Sequence, residues 1–106
     1  MAKAIFITGG GSGIGRAVAV LFAARGWRVG LADVNAAGMA ETAAMLPAGM
    51  ATCHPMDVRD REGWAAALAE FADASGGRLD VLFNNAGVAA GGPLAGNSFD
   101  EIDRVV

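Results

Sequence analysis

Short, uninterrupted apolar runs alternate along this chain with segments in which apolar residues recur every three or four positions. A short apolar run without polar alternation is typical of a strand that is buried on both faces of a parallel sheet. The pattern predicts four such strands, over residues 4–8, 28–33, 50–58 and 80–84. Pro55 interrupts the third run, which is therefore the least regular of the four.

The segments between these strands have helical periodicity. Their apolar stripes are Ile14, Val18, Leu21 and Phe22; Met39, Ala43 and Leu46; and Trp64, Leu68 and Phe71. Asn35 and Asp60 precede the second and third segments as N-caps, and Gly26 follows the first as a left-handed C-cap. Pro47 with Gly49 ends the second helix, and the pair at 76–77 ends the third.

A fourth helix is predicted near the end of the sequence. A loop rich in glycine, proline and alanine runs from Gly87 to Asn97, and residues 98–101 have the pattern of a capping box. Strands and helices therefore alternate throughout the chain. This alternation predicts an α/β fold with a doubly wound parallel sheet, right-handed crossovers and helices on both faces.

The predicted topology places two unusual loops side by side. We expect the first three strands to extend the sheet in one direction and the fourth to lie on the other side of the first. Ligands of doubly wound sheets bind at the carboxyl ends of the strands, where the strand order reverses. The segments that flank this reversal are Gly9–Gly15 and Asn84–Gly87.

Composition and charge narrow the possible functions. The 106 residues are 54% hydrophobic and 18% charged, which suits one domain with a large core. A net charge of −3 without a basic run argues against nucleic acid as a partner. The apolar segment at 4–7 is too short for a signal peptide or membrane anchor. The single Cys53 excludes an internal disulfide, and we expect a cytoplasmic protein.

The glycine cluster between the first strand and first helix has the composition of a phosphate-binding turn, because bare backbone lets an anion approach its N–H groups. The pattern of a nucleotide-hydrolysing P-loop is not met, since Arg16 and Ala17 stand where Lys and Ser or Thr are needed. The G-x-G-x-x-G pattern also fails at Ile14. The spacing that fits is T-G-x-x-x-G-x-G, starting at Thr8.

Together with Asn84-Asn85-Ala86-Gly87 about seventy residues later, this pattern resembles the short-chain dehydrogenase/reductase family. The resemblance covers the whole chain but only about the first half of a typical member. It implies a Rossmann-like, NAD(P)-binding domain of which residues 1–106 supply the first four strands and three to four helices. It also implies an incomplete sheet, continued in a longer enzyme.

The resemblance also implies roles for individual positions. The turn would hold the cofactor pyrophosphate, Asp57 and Val58 would contact the adenine, and the asparagine segment would brace the sheet and line the nicotinamide side. The cofactor-binding candidates are Thr8, Gly9, Gly11, Ser12, Gly13, Ile14, Gly15, Asp33, Val34, Asp57, Val58, Asn84, Asn85, Ala86 and Gly87.

Asp33 predicts which cofactor is preferred. It ends the second strand, where a carboxylate accepts hydrogen bonds from the adenosine ribose, and a 2′-phosphate there would meet a like charge. Ser12 is neutral at a position where relatives that prefer the phosphate often carry a basic residue. We therefore expect NAD to be preferred over NADP. Arg16 is expected on the outer face of the first helix.

Structural interpretations stand beside these roles. The glycine cluster would then be a turn without a ligand, and Asp33 a solvated residue at a strand end. Asp57 is nearly as well explained by a turn or a helix start, and the asparagines by hydrogen bonds to the backbone of the crevice. Cys53 and His54 have no second Cys or His with which to bind a metal, and a packing role in the third strand is expected for them.

The chemical step of the family needs a Tyr-x-x-x-Lys pair, a Ser and an Asn. This chain contains no tyrosine, and its only lysine is Lys3, so no residue is assigned a catalytic role and no metal is expected. The first hypothesis is the NAD-binding part of an oxidoreductase that interconverts a secondary alcohol and a ketone on a small molecule. The full-length protein would be a homo-dimer or homo-tetramer, as its relatives usually are. The alternative is a stand-alone nucleotide-binding or structural module without catalysis.

Overall fold

The structure, a computed structural model, describes residues 2–85 and contains four strands and three helices in this range. In chain order they are β1 (Ala4–Thr8), α1 (Gly13–Ala24), β2 (Arg28–Asp33), α2 (Ala36–Ala44), β3 (Ala51–Pro55), α3 (Arg61–Ala74) and β4 (Val81–Asn84). The loop predicted after Gly87 and the helix predicted at Ser98 lie outside the described residues. The alternating α/β order predicted from the sequence is confirmed.

The four strands form one parallel sheet in the order β3-β2-β1-β4. Ile7 in β1 pairs with Leu31 in β2 on one side and with Phe83 in β4 on the other. The reversal of strand order therefore falls between β1 and β4, as predicted. The carboxyl ends of these two strands, Thr8 and Asn84, are neighbours at the same edge of the sheet.

Each face of the sheet is covered by helices. Ile5 and Ile7 point to the face that α1 and α2 cover, and Phe6 points to the face that α3 covers. The first layer of the core consists of Ile5, Ile7, Ala19, Ala23, Val29, Leu31, Met39 and Leu46. The second consists of Ala4, Phe6, Ala32, Met56, Ala67 and Phe71. All five residues of β1 are buried, which explains why its sequence has no polar alternation.

The predicted apolar stripe of α1 is wrong at two positions. Ile14 is 66% exposed and Leu21 is 49% exposed. The helix instead buries Gly15, Ala19 and Ala23, which recur at every fourth position. Small side chains let the helix approach the sheet closely. The buried face therefore consists of glycine and alanine, which a search for large apolar residues at helical spacing does not detect.

The other helices agree with the sequence patterns. Met39 and Leu46 are buried, although Leu46 follows the last residue of α2. Phe71 is buried in α3, and Trp64 packs against the same core layer. Asn35 caps α2 by accepting a hydrogen bond from the Gly38 amide at 3.0 Å, and Asp60 caps α3 through the Glu62 amide at 3.1 Å. Gly26, Gly76 and Gly77 all have positive φ, as expected of residues that end helices.

The third strand is shorter than predicted, because it ends at Pro55 and does not continue to Val58. Pro55 lies opposite Asp33, the last residue of β2, so β3 has no further strand with which to pair. The packing role predicted for Cys53 is wrong, since this residue is exposed. His54 is buried, and its ring nitrogens lie 2.7 Å from the Thr52 hydroxyl and 2.9 Å from the Glu70 carboxylate.

Gly30, in the middle of β2, makes room for two aromatic rings. A Cβ atom at this position would lie 2.7 Å from ring carbons of both Phe6 and Phe71. We expect Gly30→Ala to lower the free energy of unfolding by about 1–3 kcal/mol, because the rings must leave their preferred rotamers. Chemical denaturation of the full gene product measures this loss.

The double variant with Phe71→Leu serves as the control. Removal of one ring leaves space for the new methyl group, so the double variant should lose less stability than the sum of the two single variants. Strictly additive losses would show that the alanine is accommodated without contact with Phe71.

None of the helices within residues 2–85 is long and apolar enough to cross a membrane.

Candidate functional site

The turn between β1 and α1 is anchored to the neighbouring strand. The amides of Gly9 and Gly10 both donate to the Ala32 carbonyl of β2, at N···O distances of 2.7 and 3.3 Å. Gly9 has a φ of +71°, a conformation that a residue with a side chain rarely adopts. The start of the turn is thereby fixed above the carboxyl end of β2.

Gly13 and Gly15 both lie in the first turn of α1 but meet different surroundings. A Cβ atom on Gly15 would overlap with the carbonyl group of Gly9. Gly13 has a φ of +58°, and a Cβ atom there would meet no described atom within 4 Å. Gly15 therefore permits the helix to pack against the turn, whereas the space beside Gly13 is filled by none of the residues that the structure describes.

The amino terminus of α1 differs from those of the other two helices. Among the described residues, the side chain of its N-cap Ser12 makes no capping hydrogen bond, while Asn35 and Asp60 cap α2 and α3. The first N–H groups of any helix lack partners within the helix. In α1 the N-cap side chain leaves these groups to another acceptor, and the positive end of the helix dipole favours an anion there.

The carboxylate of Asp33 lies beside the glycine turn and is held by backbone amides. Its Oδ2 accepts a hydrogen bond from the Gly11 amide at 2.9 Å, and its Oδ1 accepts one from the Asn35 amide at 3.0 Å. The Gly11 amide is thus directed to Asp33. Each carboxylate oxygen has two lone pairs, so both retain the capacity to accept a further hydrogen bond. Val34, the next residue, is 73% exposed.

An open cleft of about 200 Å³ lies at the carboxyl ends of β2 and β3. Its lining residues are Asp33, Val34, Met56, Asp57, Val58 and Arg59. Asp33, Val34, Asp57 and Val58 were all candidates from the sequence, so the fold brings these two pairs together around one cavity. The cleft combines apolar walls with two carboxylates, a mixture that suits a flat heterocycle attached to a polar sugar.

Asp57 is engaged in a local turn. Its carboxylate accepts hydrogen bonds from the Arg59 backbone amide at 2.9 Å and from the Arg59 guanidinium at 2.8 and 3.1 Å. These bonds to Arg59 lower the pKa of Asp57 from 3.8 to about 2. The turn interpretation of Asp57 is thus supported by geometry, and its contact with adenine stays a prediction.

The shifted pKa of Asp57 gives a test at low pH. Because the folded state has the lower pKa, ionised Asp57 stabilises the protein above pH 3.8, and this contribution is lost as the pH falls through about 2. We expect the carboxyl carbon of Asp57 to titrate in NMR spectra with a midpoint near the lower value. In Arg59→Gln the midpoint should return toward 3.8, and an unchanged midpoint would contradict the role of the guanidinium.

Thr8 and Asn84 join the carboxyl ends of β1 and β4. They are paired in the sheet register, and the Thr8 hydroxyl donates to Oδ1 of Asn84 at 2.7 Å. Thr8 is fully buried. The contact agrees with the bracing role expected of Asn84, whereas the direct binding of cofactor by either residue stays a prediction. Asn85 is half-buried directly after β4, and Ala86 and Gly87 lie outside the described residues.

The expected position of Arg16 on the outer face of α1 is wrong. Its side chain is only 26% exposed and reaches across to α2, where it contacts Thr42 and Glu41. Thr42 is fully buried and was not a candidate from the sequence. The Thr42 hydroxyl also donates to the Gly10 carbonyl of the turn, and no local pattern marks a threonine in the middle of a helix as a partner of a residue 32 positions earlier. Only the packing of α1 against α2 brings these residues together.

The sequence of this chain is similar to those of known dehydrogenases and oxidoreductases. The profile of a family described as short chain dehydrogenase matches residues 3–106. The meso-2,3-butanediol dehydrogenase of Serratia marcescens is 40% identical over 103 residues, which cover 97% of this chain and 41% of that protein. The probable oxidoreductase EphD of Mycobacterium tuberculosis is 36% identical over 104 residues, which cover 96% of this chain and 17% of that protein. The chain thus spans less than half the length of these relatives.

Solved structures with the same fold include dehydrogenases and reductases. The apo-form glucose dehydrogenase of Caenorhabditis elegans has a TM-score of 0.74 and 32% identity, over 93% of this chain and 41% of that one. The 3-ketoacyl-(acyl-carrier-protein) reductase of Brucella melitensis, solved with NADH, has a TM-score of 0.69 and 30% identity, over 76% of this chain and 32% of that one.

Proposed function

This chain belongs to the short-chain dehydrogenase family, and we propose that it is the NAD-binding part of an oxidoreductase that transfers hydride between a secondary alcohol and a ketone. The oxidoreductase class and the Rossmann-like, NAD(P)-binding fold follow from the family. The choice of NAD, the reaction and the site residues are the proposal.

The observation that carries the proposal is the open amino terminus of α1. Within residues 2–85, the N-cap Ser12 provides no side-chain acceptor, and a Cβ atom on Gly13 would meet no atom within 4 Å. An anion can therefore approach the helix backbone more closely than any residue with a side chain would allow. The pyrophosphate of a dinucleotide supplies the negative charge that such a site favours.

The preference for NAD is supported by the place of Asp33. Two backbone amides hold its carboxylate in the lining of the cleft at the carboxyl ends of β2 and β3. From this position it can accept hydrogen bonds from the hydroxyl groups of an adenosine ribose. A 2′-phosphate would bring like charge against a carboxylate that the backbone prevents from turning away. The cleft next to it, with Val34 and Val58, is the proposed adenine site.

The chemical step needs groups that this sequence does not contain, since it has no tyrosine and its one lysine, Lys3, precedes β1. When bound, the nicotinamide ring supplies the hydride chemistry. We propose that residues outside this chain supply the acid–base pair, and that the full-length protein acts on a small molecule as a cytoplasmic homo-oligomer. The residues of this chain bind and orient the cofactor.

Two measurements on the full gene product test the proposed function. Isothermal titration calorimetry should show that NAD binds more tightly than NADP. Absorbance at the NADH maximum should then report hydride transfer with a panel of secondary alcohols. Binding without turnover on any alcohol would favour the alternative of a non-catalytic nucleotide-binding module. If neither NAD nor NADP binds, the proposed cofactor-binding function is contradicted.

A further inference from the structure

We propose that Thr42 and Arg16 are positioning residues that set the backbone orientation of the glycine turn from α2, and that they control affinity for the diphosphate of the ligand. This inference rests on the proposed function, because it assumes that the turn binds a phosphorylated nucleotide. Neither residue is placed in contact with the ligand, and their effect is transmitted through the carbonyl groups of the turn.

Thr42 contacts the turn from within the core. Its side chain is fully buried, and its hydroxyl donates to the Gly10 carbonyl at 2.7 Å. The Gly38 carbonyl lies 3.2 Å away, so it is the longer alternative for the single hydroxyl hydrogen. The same oxygen accepts a hydrogen bond from Nε of Arg16 at 2.9 Å. The hydroxyl therefore links the turn, α1 and α2 at one point.

Arg16 holds the next carbonyl of the turn. Its Nη2 lies 2.7 Å from the Gly11 oxygen, 3.2 Å from the Gly38 oxygen and 3.2 Å from the Glu41 carboxylate. The bond to Gly11 is the shortest of the three. Because the guanidinium is planar and is also fixed through Nε to Thr42, it cannot follow a movement of Gly11 without breaking a second bond.

The planarity of the peptide bond links the direction of each held carbonyl to the direction of the N–H group in the same peptide. A trans peptide is planar, so its N–H points opposite to its C=O. With the Gly10 carbonyl held by Thr42, the Gly11 amide faces the other way and reaches Asp33. With the Gly11 carbonyl held by Arg16, the amide of Ser12 is turned away from Arg16. The amide of Ser12 is thereby made available to a ligand at the amino terminus of α1.

A close approach between backbones completes the arrangement. A Cβ atom on Gly38 would lie 2.6 Å from the Gly11 oxygen, so α2 lies directly against the turn at this point. Release of either carbonyl would let the peptide rotate and would misdirect a donor. We therefore expect variants of these residues to lose affinity for the phosphate groups specifically, without loss of affinity for the nucleoside.

The test compares ADP with adenosine as ligands of the full gene product. Thr42→Val keeps the shape of the side chain and removes its hydrogen bonds. We expect the Kd for ADP to rise about tenfold, the Kd for adenosine to stay unchanged, and Thr42→Ser to restore the affinity for ADP. Calorimetry measures the first Kd and ligand-observed NMR the second.

Thr52→Val is the matched control. The Thr52 hydroxyl bonds to His54 on β3, so its loss should change neither affinity. If Thr42→Val does not fold, Arg16→Lys decides, because one ammonium group cannot replace both the bond to Gly11 and the bond to Thr42. Arg16→Lys should also raise the Kd for ADP and leave the Kd for adenosine unchanged.

The possible outcomes distinguish a failure of the positioning role from a failure of the proposed function. Equal losses for ADP and adenosine, or no loss for ADP, would overturn the positioning role while NAD binding by the unaltered protein upholds the proposed function. If the unaltered protein binds neither NAD nor ADP, the proposed function fails, and this inference fails with it.

Discussion

Replacement of Gly13 by valine is expected to raise the Kd for NAD about a hundredfold. The new side chain would occupy space in front of α1 that none of residues 2–85 fills, where the proposed pyrophosphate accepts hydrogen bonds from the backbone. Hydrogen bonds to a charged group contribute about 1.5–3 kcal/mol each, so the loss of two amounts to at least two orders of magnitude. Calorimetric titration of the full gene product with NAD measures the change.

The control for Gly13→Val is Gly49→Val. Gly49 also has a positive φ, of +81°, and a Cβ atom there would likewise meet no described atom within 4 Å. It precedes β3, at the edge of the sheet opposite the proposed site. Both variants therefore suffer comparable backbone strain, of about 1–2 kcal/mol. Only Gly13→Val should lose affinity for NAD, and similar affinities in both variants would contradict the assignment of the turn.

A comparison with Gly15→Ala separates binding from folding at the same turn. At Gly15 a single methyl group would overlap with the Gly9 carbonyl, so α1 must move away from the turn. The expected result is a loss of stability together with a loss of affinity. At Gly13 affinity should fall while the thermal unfolding temperature changes no more than it does in Gly49→Val. This result would show that the two glycines of one sequence motif serve different purposes.

The sequence was sufficient to predict features that depend on a few adjacent residues. The caps at Asn35 and Asp60 and the left-handed end at Gly26 were predicted correctly, because side-chain and backbone preferences at helix ends act locally. The parallel sheet followed from the alternation of elements, and the strand order was expected from doubly wound sheets, in which the order reverses beside the first strand. These features placed Gly13 and Asp33 at the carboxyl-end edge of the sheet, where doubly wound sheets generally bind their ligands.

Features that depend on distant residues were not predictable in this way. The exposed Ile14 gave an apolar signal, but the close packing of α1 on the sheet requires small residues such as Ala19. The end of β3 depends on where its partner strand β2 ends, and the periodicity of the residues within β3 gives no information about that position. Arg16 and Thr42 are 26 residues apart in sequence, and their hydrogen bond exists only because α1 and α2 share a face of the sheet.

Asp33 combines the two kinds of information. Its position at the end of β2 was evident from the sequence, and with it the expected contact with a ribose. Its hydrogen bond to Gly11 was not, because the turn after β1 lies twenty-two residues earlier. The same carboxylate therefore both holds the glycine turn and faces the cleft. A substitution at Asp33 must be interpreted with both roles in mind.

For this reason the prediction for Asp33 concerns a ratio of specificities instead of a single affinity. In Asp33→Ser the Gly11 amide of the turn loses its hydrogen bond to the carboxylate, which weakens the binding of NAD and of NADP alike. The loss of negative charge affects the two differently, since it removes acceptors for the ribose hydroxyls and also removes the repulsion of a 2′-phosphate. We expect the ratio of kcat/KM for NAD over NADP to fall at least about tenfold.

Two further variants isolate the charge as the cause. Asp33→Asn keeps one oxygen that can accept the Gly11 amide and gives up the bond to the Asn35 amide, so the turn should stay in place while the ratio still falls. Asp60→Asn removes a carboxylate at the start of α3 but keeps an oxygen for the cap, and its ratio should match that of the unaltered protein. If Asp33→Asn retains the original ratio, Asp33 acts only through the turn, and the preference for NAD must arise from another residue.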